Sequence, residues 1–271
     1  MFEFNPEGRY MMPAHFGERP VSPRSSGRYR DVSLMIVPFL TEREALSAYL
    51  PSPYEVAAEA VVTVTYARNR DVDWLAGHGY NLVAVNAAVE FRGETETLAG
   101  TYTLVMWENL ADPILTGREL QGIPKVFADI EDHSVDGDCW RTSASHFGHR
   151  ILELSVSQLR DPTEQEVAAY AAANAGRDNP MGWRYLPQVD LMGCGARVSE
   201  PTTFPSETTL SMARVGQGAL QWNRLTWEQN PTQFHIVNAL ADLPVVEYLP
   251  AMVARGSTNL VLPQRLPRVI G

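Results

Sequence analysis

Residues 81–107 read NLVAVNAAVEFRGETETLAGTYTLVMW. Two runs rich in Val, Ala, Thr and aromatic residues, 81–93 and 98–107, flank a polar break. Apolar residues recurring at every second position over such lengths predict half-buried β-strands. A third run of the same kind, AVVTVTYAR at 60–68, precedes them. Moving outward, β-branched or alternating stretches predict further strands at 126–132, 139–147, 151–157, 207–214, 217–224 and 257–262. Helix signals are few. Thr41 and Glu44 spell a capping box for a short helix at 41–49. Asp161 as N-cap, Pro162 at the first turn and Gly176 at the end frame a second, whose alanines imply close packing on a sheet. A third starts at Asn230-Pro231 and runs to about Leu240. Many short strands with few helices predict one mainly β domain, an antiparallel barrel or sandwich. Residues 1–28, rich in Pro, Gly, Arg and Ser, read as an extended N-terminal arm, leaving 29–271 as the domain.

The net charge of −10 argues against nucleic acid and anionic membrane surfaces as partners. No run approaches the roughly 20 apolar residues of a membrane span. The first twenty residues lack a basic region followed by an apolar one, so a cytoplasmic protein is expected. Cys139 and Cys194 fit neither a disulfide framework nor a metal site. His146 and His149 have a spacing that would suit a metal on a helix, but they fall on two strands and a turn, so no metal is expected. Neither a Gly-rich phosphate loop nor a Gly-x-Ser-x-Gly elbow is present.

One segment stands apart. Of 22 basic residues, 21 are arginines, and the single lysine, Lys125, lies in GRELQGIPKVF at 117–127. Ile123, Val126 and Phe127 surround it with apolar side chains. Lysine offers what arginine cannot: an amine that loses its proton when desolvated. A neutral amine attacks a carbonyl and forms a Schiff base.

Gly117-Arg118-Glu119-Leu120 followed by Pro124-Lys125 resembles the signature of the acetoacetate decarboxylase superfamily, whose lysine forms the imine. Tyr29-Arg30-Asp31, Leu50-Pro51-Ser52-Pro53, Tyr80 through Gly93, 238–245 and Val261-Leu262-Pro263 extend the resemblance over 28–263 in unbroken order. It implies a cone-like closed antiparallel β-barrel decorated by a few short helices, and a homo-oligomer built from dimers. It also implies a covalent imine on Lys125 with no other cofactor. Typical decarboxylases carry Lys-Lys, whereas Val126 stands second here. Burial, with Arg30 approaching, is then left to favour the neutral amine. Two acidic residues that line the cavity of true decarboxylases align with Val64 and Leu82.

Gln121 and Tyr248 match a branch of the superfamily that resembles aldolase-dehydratases acting on pyruvate-like 2-keto acids. The first expectation is therefore a class I lyase performing aldol, retro-aldol or dehydration chemistry on a small 2-keto acid, with an aldehyde as candidate co-substrate. Lys125 and Tyr248 are its expected catalytic residues. Arg30 and Gln121 bind substrate, and Arg118 and Glu119 form a structural pair beside the site. The alternatives are decarboxylation of a 3-keto acid and, from another class, a non-catalytic small-molecule binding protein.

Overall fold

The computed structural model describes residues 2–20, 22, 25–189, 194–260 and 266–271. Sixteen strands follow in chain order: β1 (Arg28–Leu40), β2 (Tyr54–Val56), β3 (Val61–Val72), β4 (Tyr80–Arg92), β5 (Thr97–Glu108), β6 (Lys125–Phe127), β7 (Asp129–Ile130) and β8 (Ser134–Asp136). Then come β9 (Cys139–His146), β10 (His149–Arg160), β11 (Asn179–Pro187), β12 (Ala196–Thr203), β13 (Glu207–Trp222), β14 (Glu247–Tyr248), β15 (Ala251–Asn259) and β16 (Arg268–Val269). Four α-helices intervene: α1 (Arg43–Ser47), α2 (Ala111–Thr116), α3 (Glu164–Asn174) and α4 (Phe234–Asp242).

The strands form one sheet in the order β16-β12-β11-β5-β4-β3-β1-β15-β13-β10-β9-β7. This corrects the expected closed antiparallel barrel. Hydrogen bonding does not close the sheet, and two of its pairings are parallel. The reason lies on the free edge of β5. Gly100–Tyr102 there pair in parallel with Asn179–Met181, while Met106–Glu108 pair in parallel with Lys125–Phe127. After Ala128 the chain turns its ladder to β9 instead, through Asp129 and Ile130. No continuous ladder joins the two ends.

The strands β3, β4 and β5 match the predicted runs to within a few residues, because alternation decides them. Residues 207–222 form one strand, β13, where two were expected. Of the predicted strand at 257–262, residues 257–259 close β15, while 261 and 262, with the Val261-Leu262-Pro263 motif, lie outside the described residues. The caps are corrected. Helix α1 is preceded by Glu42 with no side-chain cap, and the buried Thr41 hydroxyl has no hydrogen bond. Helix α3 is capped by Thr163, reciprocally with Glu166, rather than by Asp161. None of its residues is buried, so its alanines do not pack on the sheet. No strand forms before Arg28 among the described residues, and the one helical turn described there is a 3-10 turn at Ala14–Phe16.

One face of β1, β3, β4 and β5 packs a core that includes Met35, Val64, Val85 and Trp107. The opposite face, including Leu34, Ala67, Leu82 and Met106, lines a cavity of about 300 Å³. Trp107 also anchors the approach to α4, since its Nε1 donates to Gln233 Oε1 at 2.7 Å. Gln233 Nε2 in turn donates to the Phe127 carbonyl at 2.9 Å, which fixes the strand that carries the lysine.

Candidate active site

Lys125 opens β6, in register with Met106 of β5, and its side chain enters the cavity. It is 7 % exposed. Strand alternation puts Glu108 on the same face as Met106, two residues on, and Glu108 is fully buried. The Lys125 Nζ lies 2.9 Å from Glu108 Oε1 and donates to the Pro113 carbonyl at 3.2 Å. The buried ion pair with Lys125 leaves the carboxylate with no further hydrogen-bonding partner among the described residues. Burial pushes the Glu108 carboxyl above its ordinary range, and the adjacent Lys125 charge pulls it partly back. A buried carboxylate with one close cationic partner carries a desolvation cost that favours its protonated form. That is the chemistry of a proton acceptor beside an amine.

The preceding segment explains how the lysine is held. After α2 the chain tightens into a π-helical turn, Gly117–Gln121, a local irregularity often found at functional sites. Arg118 Nη1 donates to the Lys125 carbonyl at 2.7 Å, tying the turn to the strand. Arg118 and Glu119 do not pair with each other; the Glu119 carbonyl instead accepts from Arg184 Nε at 2.7 Å. The hydroxyl of Thr202 donates to the Gln121 carbonyl at 2.6 Å, which sets Gln121 into the cavity wall. Glycine is required twice here. A Cβ on Gly117 would lie 2.6 Å from Lys125 Cδ and Cε, so the absent side chain makes room for the amine. Gly122 has φ +73 and passes so close to β11 that a Cβ would lie 2.6 Å from the Arg184 nitrogen.

Two expected residues stay outside this cavity. Arg30 follows Tyr29 and faces the opposite side of β1, within the bulge between Tyr29 and Val32. Its guanidinium is about half exposed and donates to both Asp73 oxygens at 3.0 Å. Tyr248 of β14 pairs with Phe39, at the far end of β1, and its hydroxyl donates to the Leu220 carbonyl at 3.4 Å. The cavity uses the first part of β1 instead, through Tyr29, Val32 and Leu34. Leu82 lines the cavity as expected, whereas Val64 is fully buried in the core and its neighbour Thr65 takes the cavity side.

Sequence reading missed Glu108, Tyr29, Tyr80 and Asn69, all of which line the cavity. Alternation along 101–108 could have flagged Glu108. Its approach to Lys125 depends on a parallel pairing that no local pattern announces. Among the described residues, no group of three His, Cys, Asp or Glu side chains gathers as metal ligands, and no helix is long and apolar enough to cross a membrane.

Comparison with known proteins decides the family. Residues 11–260 match the family model described as acetoacetate decarboxylase. The chain belongs to the acetoacetate decarboxylase family. An acetoacetate decarboxylase from Burkholderia vietnamiensis is 34 % identical over 242 residues, covering 86 % of this chain and 85 % of that protein. The crystal structure of acetoacetate decarboxylase from Legionella pneumophila superposes with a TM-score of 0.73 at 19 % identity, over 100 % of this chain and 98 % of that one. The enduracididine biosynthesis enzyme MppR, complexed with the condensation product of pyruvate and imidazole 4-carboxaldehyde, gives 0.67 at 15 % identity, over 98 % and 97 % of the two chains. These likenesses place the mainly β fold with the acetoacetate decarboxylase family, whose members are lyases.

Proposed function

We propose that this protein is a lysine-imine lyase that removes carbon dioxide from a small 3-keto acid. The observation that carries the reading is Glu108, a fully buried carboxylate paired with Lys125 Nζ at 2.9 Å and without a further donor among the described residues. The sequence ranked condensation chemistry first because the cavity was expected to lack carboxylates and to hold Arg30 and Tyr248. With Glu108 inside and those two outside, the ranking reverses. The 34 % identical relative named acetoacetate decarboxylase supports the same order.

The neutral amine of Lys125 adds to the C3 carbonyl; Glu108 takes the proton lost from nitrogen, and the carbonyl oxygen takes a proton from solvent to become the carbinolamine hydroxyl. Glu108 returns a proton to the carbinolamine hydroxyl, which leaves as water, and a protonated imine remains. The C1–C2 bond then breaks; its electron pair moves toward the imine nitrogen, giving an enamine, and neutral carbon dioxide departs. The enamine takes a proton at C2, and water hydrolyses the imine to release the ketone and restore Lys125. Apolar walls from Leu34, Ala67, Leu82 and Ala84 favour this step, because carboxylate charge disperses as the bond breaks. Among the described lining residues Lys125 is the one cation, so a firm hold on the ground-state carboxylate is absent from this part of the wall.

Lys125 is the chain's sole side-chain amine, which makes the test easy to assign. Acetoacetate with borohydride should leave one reduced adduct on the peptide containing Lys125, lost in Lys125→Arg, and without borohydride should release carbon dioxide. Adduct formation without carbon dioxide release, accompanied by condensation of pyruvate with an aldehyde, would restore the aldol reading. No adduct with any keto acid would leave a binding module.

A further inference from the structure

Besides Lys125 and Glu108 the cavity lining holds polar groups that the imine chemistry does not use. Asn69 of β3 and Tyr80 of β4 are directly paired across the two strands, which puts their Cβ atoms about 4.5–5.5 Å apart. Both line the cavity, and they are only 4 % and 5 % exposed. The Asn69 side-chain nitrogen is buried without a hydrogen-bonding partner. A native protein retains such a donor at a cost, because its lost hydration is not replaced.

The hydroxyls beside it leave a second unused donor. Trp74 Nε1 donates to Tyr29 Oη at 3.0 Å, and the Tyr29 and Tyr80 hydroxyls lie 3.1 Å apart. Indole nitrogen is a donor only, so Tyr29 accepts from it. The two phenols own two protons, and one bond between them uses one. Whichever phenol donates, the other proton has no acceptor among the described residues. Burial raises both phenols above their ordinary range, so each keeps its proton.

We infer that Asn69 and the Tyr29–Tyr80 pair form a substrate-specificity subsite for a neutral oxygen, a carbonyl or hydroxyl, on the chain of the keto acid beyond its keto carbon. Neutral oxygen is favoured over a second carboxylate because the negative field of Glu108 reaches both phenols. Space agrees. A six-membered ring fills a cavity of roughly 150 Å³, and this one offers about 300 Å³, room for a chain longer than acetoacetate. The inference rests on the imine reading above, and its test separates the two.

Half-saturation of the borohydride-trapped adduct on Lys125 is measured with 5-hydroxy-3-oxohexanoate, 3-oxohexanoate and 3-oxoadipate. The hydroxylated acid should saturate the wild type at about tenfold lower concentration than its alkyl counterpart, as two hydrogen bonds to neutral groups would give. That ratio should fall toward one in Asn69→Leu and in the Tyr29→Phe/Tyr80→Phe double variant. Asn69→Leu should also melt at or above the wild-type temperature, since it removes a donor without a partner; a merely structural asparagine would lower it. Equal half-saturation by the hydroxylated and alkyl acids in the wild type overturns the subsite and leaves the imine reading standing. Preference for 3-oxoadipate overturns its neutral character. Failure of all three acids to give an adduct removes the imine reading, and the subsite with it.

Discussion

At the scale of single residues, the chemistry turns on which group faces Lys125, and the structure answers with Glu108. Its carboxyl is raised from an ordinary 4.5 by burial, with the Lys125 charge acting in the opposite direction. If Glu108 must be ionised to accept the amine's proton, activity falls as pH drops through that raised value. The acid limb of kcat/KM should therefore lie above 4.5 and be absent from Glu108→Gln. That variant should form the imine about 10²–10⁴-fold more slowly, the usual share of a general acid–base group. Stability carries the same sign from another direction. The native carboxyl binds its proton more tightly than the unfolded one, so its contribution to stability is largest at low pH and is lost as pH rises from 4.5 through the raised value. Melting temperature of the wild type relative to Glu108→Gln should fall across that window. An identical acid limb in both proteins would remove Glu108 from the mechanism. Lys125 was legible because a lone amine among 21 arginines is a chemical exception. Glu108 was not, because one carboxylate among 32 acidic residues becomes exceptional only when its neighbours in space are known.

At the scale of elements, the decisive piece is the π-helical turn Gly117–Gln121 and the short strand it feeds. Gly117→Ala would ordinarily favour a helix by about 0.5–1 kcal/mol. Here the new methyl would meet the Lys125 side chain at 2.6 Å, and the flexible stem would have to shift while the amine stays near Glu108. Gly117→Ala should thus keep its melting temperature within a few degrees while imine formation drops about 10²-fold, as expected for a reacting group displaced by about 1 Å. Equal loss of stability and activity would mean that the turn, rather than the amine, had moved. Such separations could not be read from sequence. The strands were legible because their period of two shows in 60–107, and they agree with the observed β3, β4 and β5. The caps were not, since Thr41, Asp161 and Thr163 are all acceptable N-caps by composition, and tertiary position chose among them. Arg30 failed for a related reason: beside Tyr29 it takes the opposite face, and a bulge then shifts the register that places Val32 in the cavity. Alternation predicts which residues share a face, and leaves open which face becomes the site.

At the scale of the whole molecule, a sheet that hydrogen bonds do not close must protect its ends. One end is β16, paired with Thr202 and Thr203 of β12. The same Thr202 holds the Gln121 carbonyl, so this edge is connected to the turn that positions Lys125. Two kinds of contact fasten it. Arg268 meets Glu96 through two bonds of 2.6 Å near the surface, and Ile270, 2 % exposed, sits in the core while its amide donates to the Pro201 carbonyl at 3.1 Å. Surface pairs contribute about 0–1 kcal/mol, whereas truncating a buried isoleucine to alanine costs about 2–5 kcal/mol. For a chain of this size each kcal/mol moves Tm by roughly 2–4 °C. Ile270→Ala should therefore lower Tm by roughly 5–15 °C, and Arg268→Ala by no more than about 4 °C. Scanning calorimetry of the two variants ranks the contacts directly. If Arg268→Ala proved as costly as Ile270→Ala, the edge would be held by its charges, and its melting would weaken steeply with salt, which a fastening by apolar burial would not show.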